Sequence, residues 1–405
     1  MLHYSWLQYA VFLYNILSCG CEGWMLQSLR VSLRRSWLRG IVDPIPQGQR
    51  GDISPLNGAA FRRRGLPYVE TWEEQRLGDL WQSNPFTTLH SVVRTIITGQ
   101  KNSNHDGMAL LRRLTESSPS THEHLFSLLY GTTRDHGLKE QTIRDYDLDK
   151  KRHFLLNVAY LGNEFCGWQR QIDHPDGMTS VQQVLEDWLQ TLPGQKDIVD
   201  IQVAGRTDAG VSAMGQICRF RTFQAISSQD LRHHLQQMPL ESVRVTNVTR
   251  VSRAFHPSFG ATCRAYIYLI DVWEGWTIKQ INLLNTLLQP LEGNELDYIA
   301  MSYGRLKTEN SLCTLYHARA CLVESTFQND DHHYHQAIAI ELVGNRFLRR
   351  MVRLLVATAL RLTLQQTPPH PTSLLKLVQD RDRLQIFAPA PPDGLAFVGA
   401  MFEDL

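Results

Sequence analysis

From Lys151 to the C-terminus the apolar residues switch repeatedly between a period of two and a period near 3.6, and this alternation constrains the fold of the chain most. HFLLNVAY (153–160) reads as a strand. SVQQVLEDWLQTL (180–192) then places Val181, Val184, Leu185, Trp188, Leu189 and Leu192 on one face of a helix, with Ser180 and Gln183 forming a capping box at its start. Strands follow at about 198–204 and 215–222, a helix at 228–238 and a strand at 243–252. The second half repeats the theme: strand 259–272, helix 278–289, strands 317–326 and 334–343, helices 345–363 and 372–379, and strand 395–402. Elements alternating over turn-length connections predict a layered α+β or α/β architecture of two similar halves. With 43% hydrophobic and 20% charged residues, the chain has the balance of a globular protein and not of a disordered or fibrous one.

The first 150 residues have a different texture. Residues 1–64 hold eight arginines, no lysine and three acids, a net +5 within a chain whose total is only +1. An Arg-rich, acid-poor leader is expected to direct the protein to a mitochondrion or plastid; the alternative is a misassigned start or a tail on a cytoplasmic or nuclear protein. The apolar run Trp6–Leu17 is too short to span a bilayer, which needs about 20 apolar residues. Pro44, Pro46, Pro55 and Pro67 mark a linker, so residues 1–68 read as leader and linker. Residues 69–150 read as a helical extension, in which Leu89, Val92, Val93, Ile96 and Ile97 form one apolar face and Leu110, Leu111 and Leu114 another. They carry no recognisable chemistry.

Several functional classes are excluded. The chain lacks G-x-G-x-x-G, a Walker loop, G-x-S-x-G and H-E-x-x-H. Seven scattered cysteines with no C-x-x-C pair argue against a disulfide scaffold or a thiolate zinc site and fit a reducing compartment. The run Asp330–His335 reads as a solvated turn between strands, and the Asn247-Val248-Thr249 sequon as part of a strand. Three segments stand apart. AGRTDAGVSAMGQ (204–216) sets Arg206 and Asp208 in a loop bracketed by Gly205 and Gly210; taken alone, it reads as a surface turn with a local ion pair. GNRFLRRMVRLLVATAL (344–360) spaces Arg346, Arg349, Arg350 and Arg353 along one helical face, an acid-free stripe best explained by phosphates, a buried carboxylate, or both. AFHPSFGATCRAYIYLI (254–270) aligns Arg264, Tyr266 and Tyr268 on one side of a strand, either as core or as a surface for a splayed-out base.

Taken in order, GWQRQ (167–171), SVQ (180–182), AGRTDAGVSA (204–213), FHPSFGATCRAYIY (255–268), GNRFLRRMVR (344–353) and APAPPDGLAF (388–397) resemble the TruA family of tRNA pseudouridine synthases. The resemblance covers residues 151–405, with halves 151–258 and 259–405, and leaves 1–150 outside it. It implies an α+β fold whose two α/β halves share a mainly antiparallel sheet with a central RNA-binding cleft, plus the helical N-terminal extension. It implies Asp208 as the catalytic aspartate, Arg206 in extruding the target nucleotide, Tyr266 stacking on the uracil and acting in proton transfer, and Arg353 pairing with Asp208. Arg264, Arg346, Arg349, Arg350, Gln169 and Arg170 are the expected RNA contacts. The implied partner is tRNA, with a homodimer suggested by bacterial members, no membrane, and neither a metal nor an organic cofactor.

The GRTDAG loop supplies one carboxylate, where typical glycoside hydrolysis uses two, and this fits an isomerisation that excludes water. The chain departs from the family at Tyr160-Leu161-Gly162, where YDG is common, and at Ser212, a position often held by His. These departures motivate the alternative of a catalytically inactive RNA-binding or assembly factor that retains the fold.

Overall fold

The computed structural model describes residues 72–83, 85–99, 151–171, 177–271, 278–304, 310–328, 334–365 and 367–402. The Arg-rich leader, the apolar positions 110–114 and most of the Asp330–His335 run lie outside them. The described residues form one nine-stranded sheet. Its strands are β1 (Arg152–Tyr160), β2 (Gln202–Val203), β3 (Ser212–Thr222), β4 (Val243–Val251), β5 (Ala261–Asp271), β6 (Glu295–Asp297), β7 (Leu312–Gln328), β8 (Tyr334–Gly344) and β9 (Leu395–Phe402). The order is β4-β1-β3-β9-β5-β8-β7-β6, with β2 paired to β3 off this path. All pairings are antiparallel except β3 with β9, where Ser212 faces Ala396 and Ala213 faces Phe397. This short parallel seam joins the two halves near the middle of the sheet.

The helices are α1 (Trp72–Gln82), α2 (Thr87–Thr98), α3 (Val181–Gln190), α4 (Ser228–Gln236), α5 (Ile278–Leu288), α6 (Met351–Thr363) and α7 (Ser373–Gln379). As the capping box predicts, the Ser180 hydroxyl accepts the Gln183 N–H at 3.1 Å. The alternation of β5 sorts the core into two faces. Tyr266, Tyr268 and Ile270 join a large apolar cluster with residues of α1 and α3–α7. Cys263, Ala265, Ile267 and Leu269 join a smaller one with Leu89, Val92, Val93 and Ile97 of α2. Asn247 of the sequon pairs with Asn157 inside the sheet. Among the described residues, no helix is long and apolar enough to cross a membrane.

Two expectations from periodicity are corrected. The strand expected at 198–204 shrinks to Gln202–Val203 because side chains of α3 capture its backbone. Gln190 Oε1 accepts from Val199 N and Glu186 Oε1 from Ile201 N, both at 3.1 Å, so these amides are lost to the ladder. The helix expected over 345–363 begins only at Met351. Arg350 adopts a left-handed backbone with φ 58, which a right-handed helix cannot contain. Arg346, Arg349 and Arg350 therefore precede the helix, and only Arg353 lies on it. The four do not form a stripe on one helical face.

Candidate active site

Asp208 lies four residues before β3, in a loop shaped by close backbone contacts. Gly210 takes φ 80, and a Cβ there would fall 2.7 Å from Pro392 Cγ. A Cβ on Gly162 would fall 2.2 Å from the Val211 carbonyl carbon, so neither position has room for a side chain. Beneath the loop, the Thr207 hydroxyl lies 2.8 Å from the Tyr160 hydroxyl, and Gln216 Nε2 donates to Gly205 O at 2.8 Å. Trp168 N donates to Thr207 O at 3.2 Å. These bonds fix the chain before Asp208, and Val211 N, donating to Asp208 O at 3.2 Å, holds it beyond.

Two arginines converge on the Asp208 carboxylate. Arg353 Nη1 donates to Oδ2 at 3.4 Å, while its Nε donates to Ala390 O at 2.6 Å. Arg350 Nε stands 3.7 Å from the same oxygen, and the Arg350 guanidinium lies over the Tyr303 ring at 3.9 Å. The left-handed turn at Arg350 lets residues three apart approach one carboxylate from two directions. Arg353 is buried and its guanidinium pKa is lowered by that burial, with Asp208 partly offsetting the effect. The Asp208 side chain remains 27% exposed, open enough for a base to reach it.

Tyr266 stands on β5, in register with Phe397 of β9. Its ring meets Phe347 and Phe397 edge-on at 5.0 and 5.1 Å. A Cβ on Gly205 would lie 3.7 Å from the Tyr266 hydroxyl, which brings the phenol alongside the Asp208 loop. Burial pushes this phenol up to about 12, Arg264 pulls it down and Asp208 adds to the rise. Tyr266 is therefore a neutral hydroxyl at any physiological pH, and it becomes a phenolate only as pH rises through about 12. In Tyr266→Phe, kcat is expected to fall by roughly 10²-fold with KM held, because the ring persists and only the proton donor or acceptor is removed. In the wild type, the rate should not climb steeply between pH 7 and 9, as a phenolate base would require. A pH–rate profile of both proteins checks this.

The remaining candidates divide by geometry. Arg206 is exposed at the loop, and Arg349 is exposed with its guanidinium 5.5 Å from the Tyr303 ring centre. Arg264 donates from Nε, Nη1 and Nη2 to the carbonyls of Ala204, Asn345 and Ser258 at 3.2, 2.8 and 2.6 Å. It ties three segments together behind the site. Arg346 is half-buried near Arg264 and Cys313. Arg170 is held on α3 by Glu186 and Asp187 at 2.8 and 2.7 Å, beside the exposed Gln169. Tyr268 is core, its hydroxyl donating to Pro391 O at 3.0 Å.

Sequence reasoning missed Tyr303, Phe347 and the carbonyl of Ala390. Phe347 and Ala390 sit within the quoted motifs, but nothing local marks Tyr303. At the two departures, Ser212 Oγ accepts the Gly162 N–H at 3.0 Å, and Leu161 is buried in the apolar cluster that contains α2. Both serve packing and leave the Asp208 constellation whole. Among the described residues, no group of three or more His, Cys, Asp or Glu is placed to hold a metal.

One carboxylate approached by two guanidiniums, beside a buried neutral phenol at the seam of a mixed sheet, suits a base-modifying enzyme better than a two-carboxylate glycosidase. Residues 157–259 and 304–403 match the model of the tRNA pseudouridine synthase family, to which the chain belongs; its members are isomerases. Similar relatives include tRNA pseudouridine synthase A of Thermosipho africanus, 29% identical over 263 residues, covering 62% of this chain and 100% of the relative. The namesake from Leptospira biflexa is 31% identical over 265 residues, covering 62% and 94%, and that from Francisella philomiragia is 26% identical over 269 residues, covering 62% and 95%.

Proposed function

We propose that this chain isomerises uridine to pseudouridine in or near the anticodon arm of tRNA, with Asp208 as its essential carboxylate. The observation that carries this reading is the convergence of Arg353 and Arg350 on Asp208 beside Tyr266. A base inside a stem cannot reach a loop carboxylate, so the target nucleotide is flipped out, and exposed Arg206 stands where an extruding cation is needed. The C1′–N1 bond then breaks, the uracil turns, and C1′ bonds to C5. The C5 proton leaves to solvent, and N1, freed from the sugar, ends protonated. Asp208 serves either by adding covalently or by helping a base take a sugar proton. In this reading the Tyr266 ring packs the uracil face and its hydroxyl serves in proton transfer.

With an overall charge of only +1, tRNA affinity rests on placed cations and not on bulk basicity. Arg206 and Arg349 are exposed, and Arg350 stands 3.7 Å from Asp208. The test is pseudouridine mapping of tRNA from cells with and without the gene. Loss of defined pseudouridines in the anticodon arm is expected. An unchanged map would defeat the assignment, and release of free uracil from tRNA by the purified protein would indicate a glycosidase instead.

A further inference from the structure

The N-terminal helices lie outside the family match, yet they wrap the sheet that carries the site. α1 buries Leu77, Leu80 and Trp81 in the cluster that includes α6. The chain then rounds the end of β5, where Asp271 N donates to Pro85 O at 2.8 Å. α2 crosses the opposite face, burying Leu89, Val92, Val93 and Ile97.

Both ends of α2 are fastened by the synthase domain. The helix has no acid in its first turn, no base in its last and no side-chain N-cap of its own. Instead, the Asp271 carboxylate receives the Thr88 N–H at 3.3 Å. At the other end, Arg244 Nη1 donates to Ile97 O at 2.9 Å and Thr98 O at 3.3 Å. An anion at the N-terminus and a cation at the C-terminus complement the helix dipole, and here both are supplied across the fold.

Between the two helices, Phe86 touches the turn that is bonded to Arg353. Trp81 and Phe86 are stacked at 6.3 Å, and Tyr268 meets them edge-on at 6.4 and 6.2 Å. A Cβ on Gly394 would fall 2.7 Å from Phe86 Cε1, so the ring lies directly on the 390–394 turn. The same turn holds the site from its other side. Ala390 exchanges hydrogen bonds with Arg353, whose Nε donates to Ala390 O at 2.6 Å and whose carbonyl accepts Ala390 N at 3.0 Å. Pro392 packs against Gly210, two residues beyond Asp208.

We propose that α1 and α2 form an intramolecular clasp around the sheet, and that Phe86 is a positioning residue that sets the 390–394 turn and, through it, Arg353 and Asp208. The effect on turnover rests on the synthase reading; the effect on the loop does not. The experiment therefore uses two readouts on the full chain, hydrogen exchange and steady-state release of tritium from C5-labelled tRNA. Phe86→Ala should speed amide exchange in 204–211 and 388–394 relative to β8, and lower kcat about tenfold with KM for tRNA within twofold, because a small displacement at a distance acts on alignment and not on binding. Phe86→Leu refills much of the space and should restore kcat to within about threefold, with a smaller exchange change. If Phe86→Ala does not fold, Phe86→Leu alone decides, by that intermediate pattern. Wild-type exchange in both loops, or a change in KM alone, would overturn the clasp. A wild-type protein without turnover would defeat the synthase reading and leave the exchange result to judge the clasp.

Discussion

Asp208→Ala and Asp208→Asn should release no tritium from tRNA labelled at uracil C5, with turnover reduced on the order of 10³-fold or more, while the wild type releases it steadily. Among the described residues, this carboxylate is the one that Arg350 and Arg353 both approach. Asn keeps the size and an acceptor for Arg353 but can neither add covalently as a carboxylate nor serve as a base. Both variants should still bind tRNA within a few-fold of wild type, because Arg206 and Arg349 remain. Equal release by wild type and either variant would remove Asp208 from the mechanism. Loss of binding in parallel with activity would make it an architectural residue instead.

Arg353→Lys should also cost most of the activity despite keeping the charge. The guanidinium performs two tasks at once, Nε holding Ala390 O at 2.6 Å and Nη1 reaching Asp208 at 3.4 Å. A single ammonium on a flexible stem cannot reproduce both directions. If it keeps the carboxylate, a buried carbonyl loses its donor at a cost of about 1–3 kcal/mol; if it keeps the carbonyl, Asp208 loses its buried partner. A fall in kcat of about 10²-fold and a lower melting temperature are expected together, measured by tritium release and calorimetry. Wild-type turnover at an unchanged melting temperature would show that the fork geometry is dispensable.

How much of this was legible along the chain depends on the range of each interaction. The helix opened by Ser180 and Gln183 was readable because its cap and its apolar face are encoded within a dozen residues. The Asp208 loop stood out because GRTDAGV is contiguous, and its Gly210 takes φ 80 with no room for a Cβ beside Pro392. The arginine stripe misled because helical spacing assumes a helix, and the left-handed residue at Arg350 interrupts it for contacts with Tyr303 and Asp208 that are remote in sequence. The Arg264-Tyr266-Tyr268 row was found as a row but not sorted. Only the packing shows Arg264 tied to three carbonyls, Tyr266 beside the loop and Tyr268 in the core.

The apolar face of α2 was equally plain in the sequence as Leu89, Val92, Val93 and Ile97, yet nothing in it named the surface it covers. Periodicity specifies which side of an element is apolar, because that is a property of backbone geometry alone. It cannot specify a partner, because any apolar surface satisfies the same pattern. The sequence by itself therefore determined the layered α+β class and the contiguous loop that carries Arg206 and Asp208. Tertiary structure decided the seam at which β3 meets β9, the two arginines that share Asp208, and the aromatic bridge from Phe86 to the 390–394 turn. These depend on distance and direction between residues more than a hundred positions apart, which only the closed chain sets.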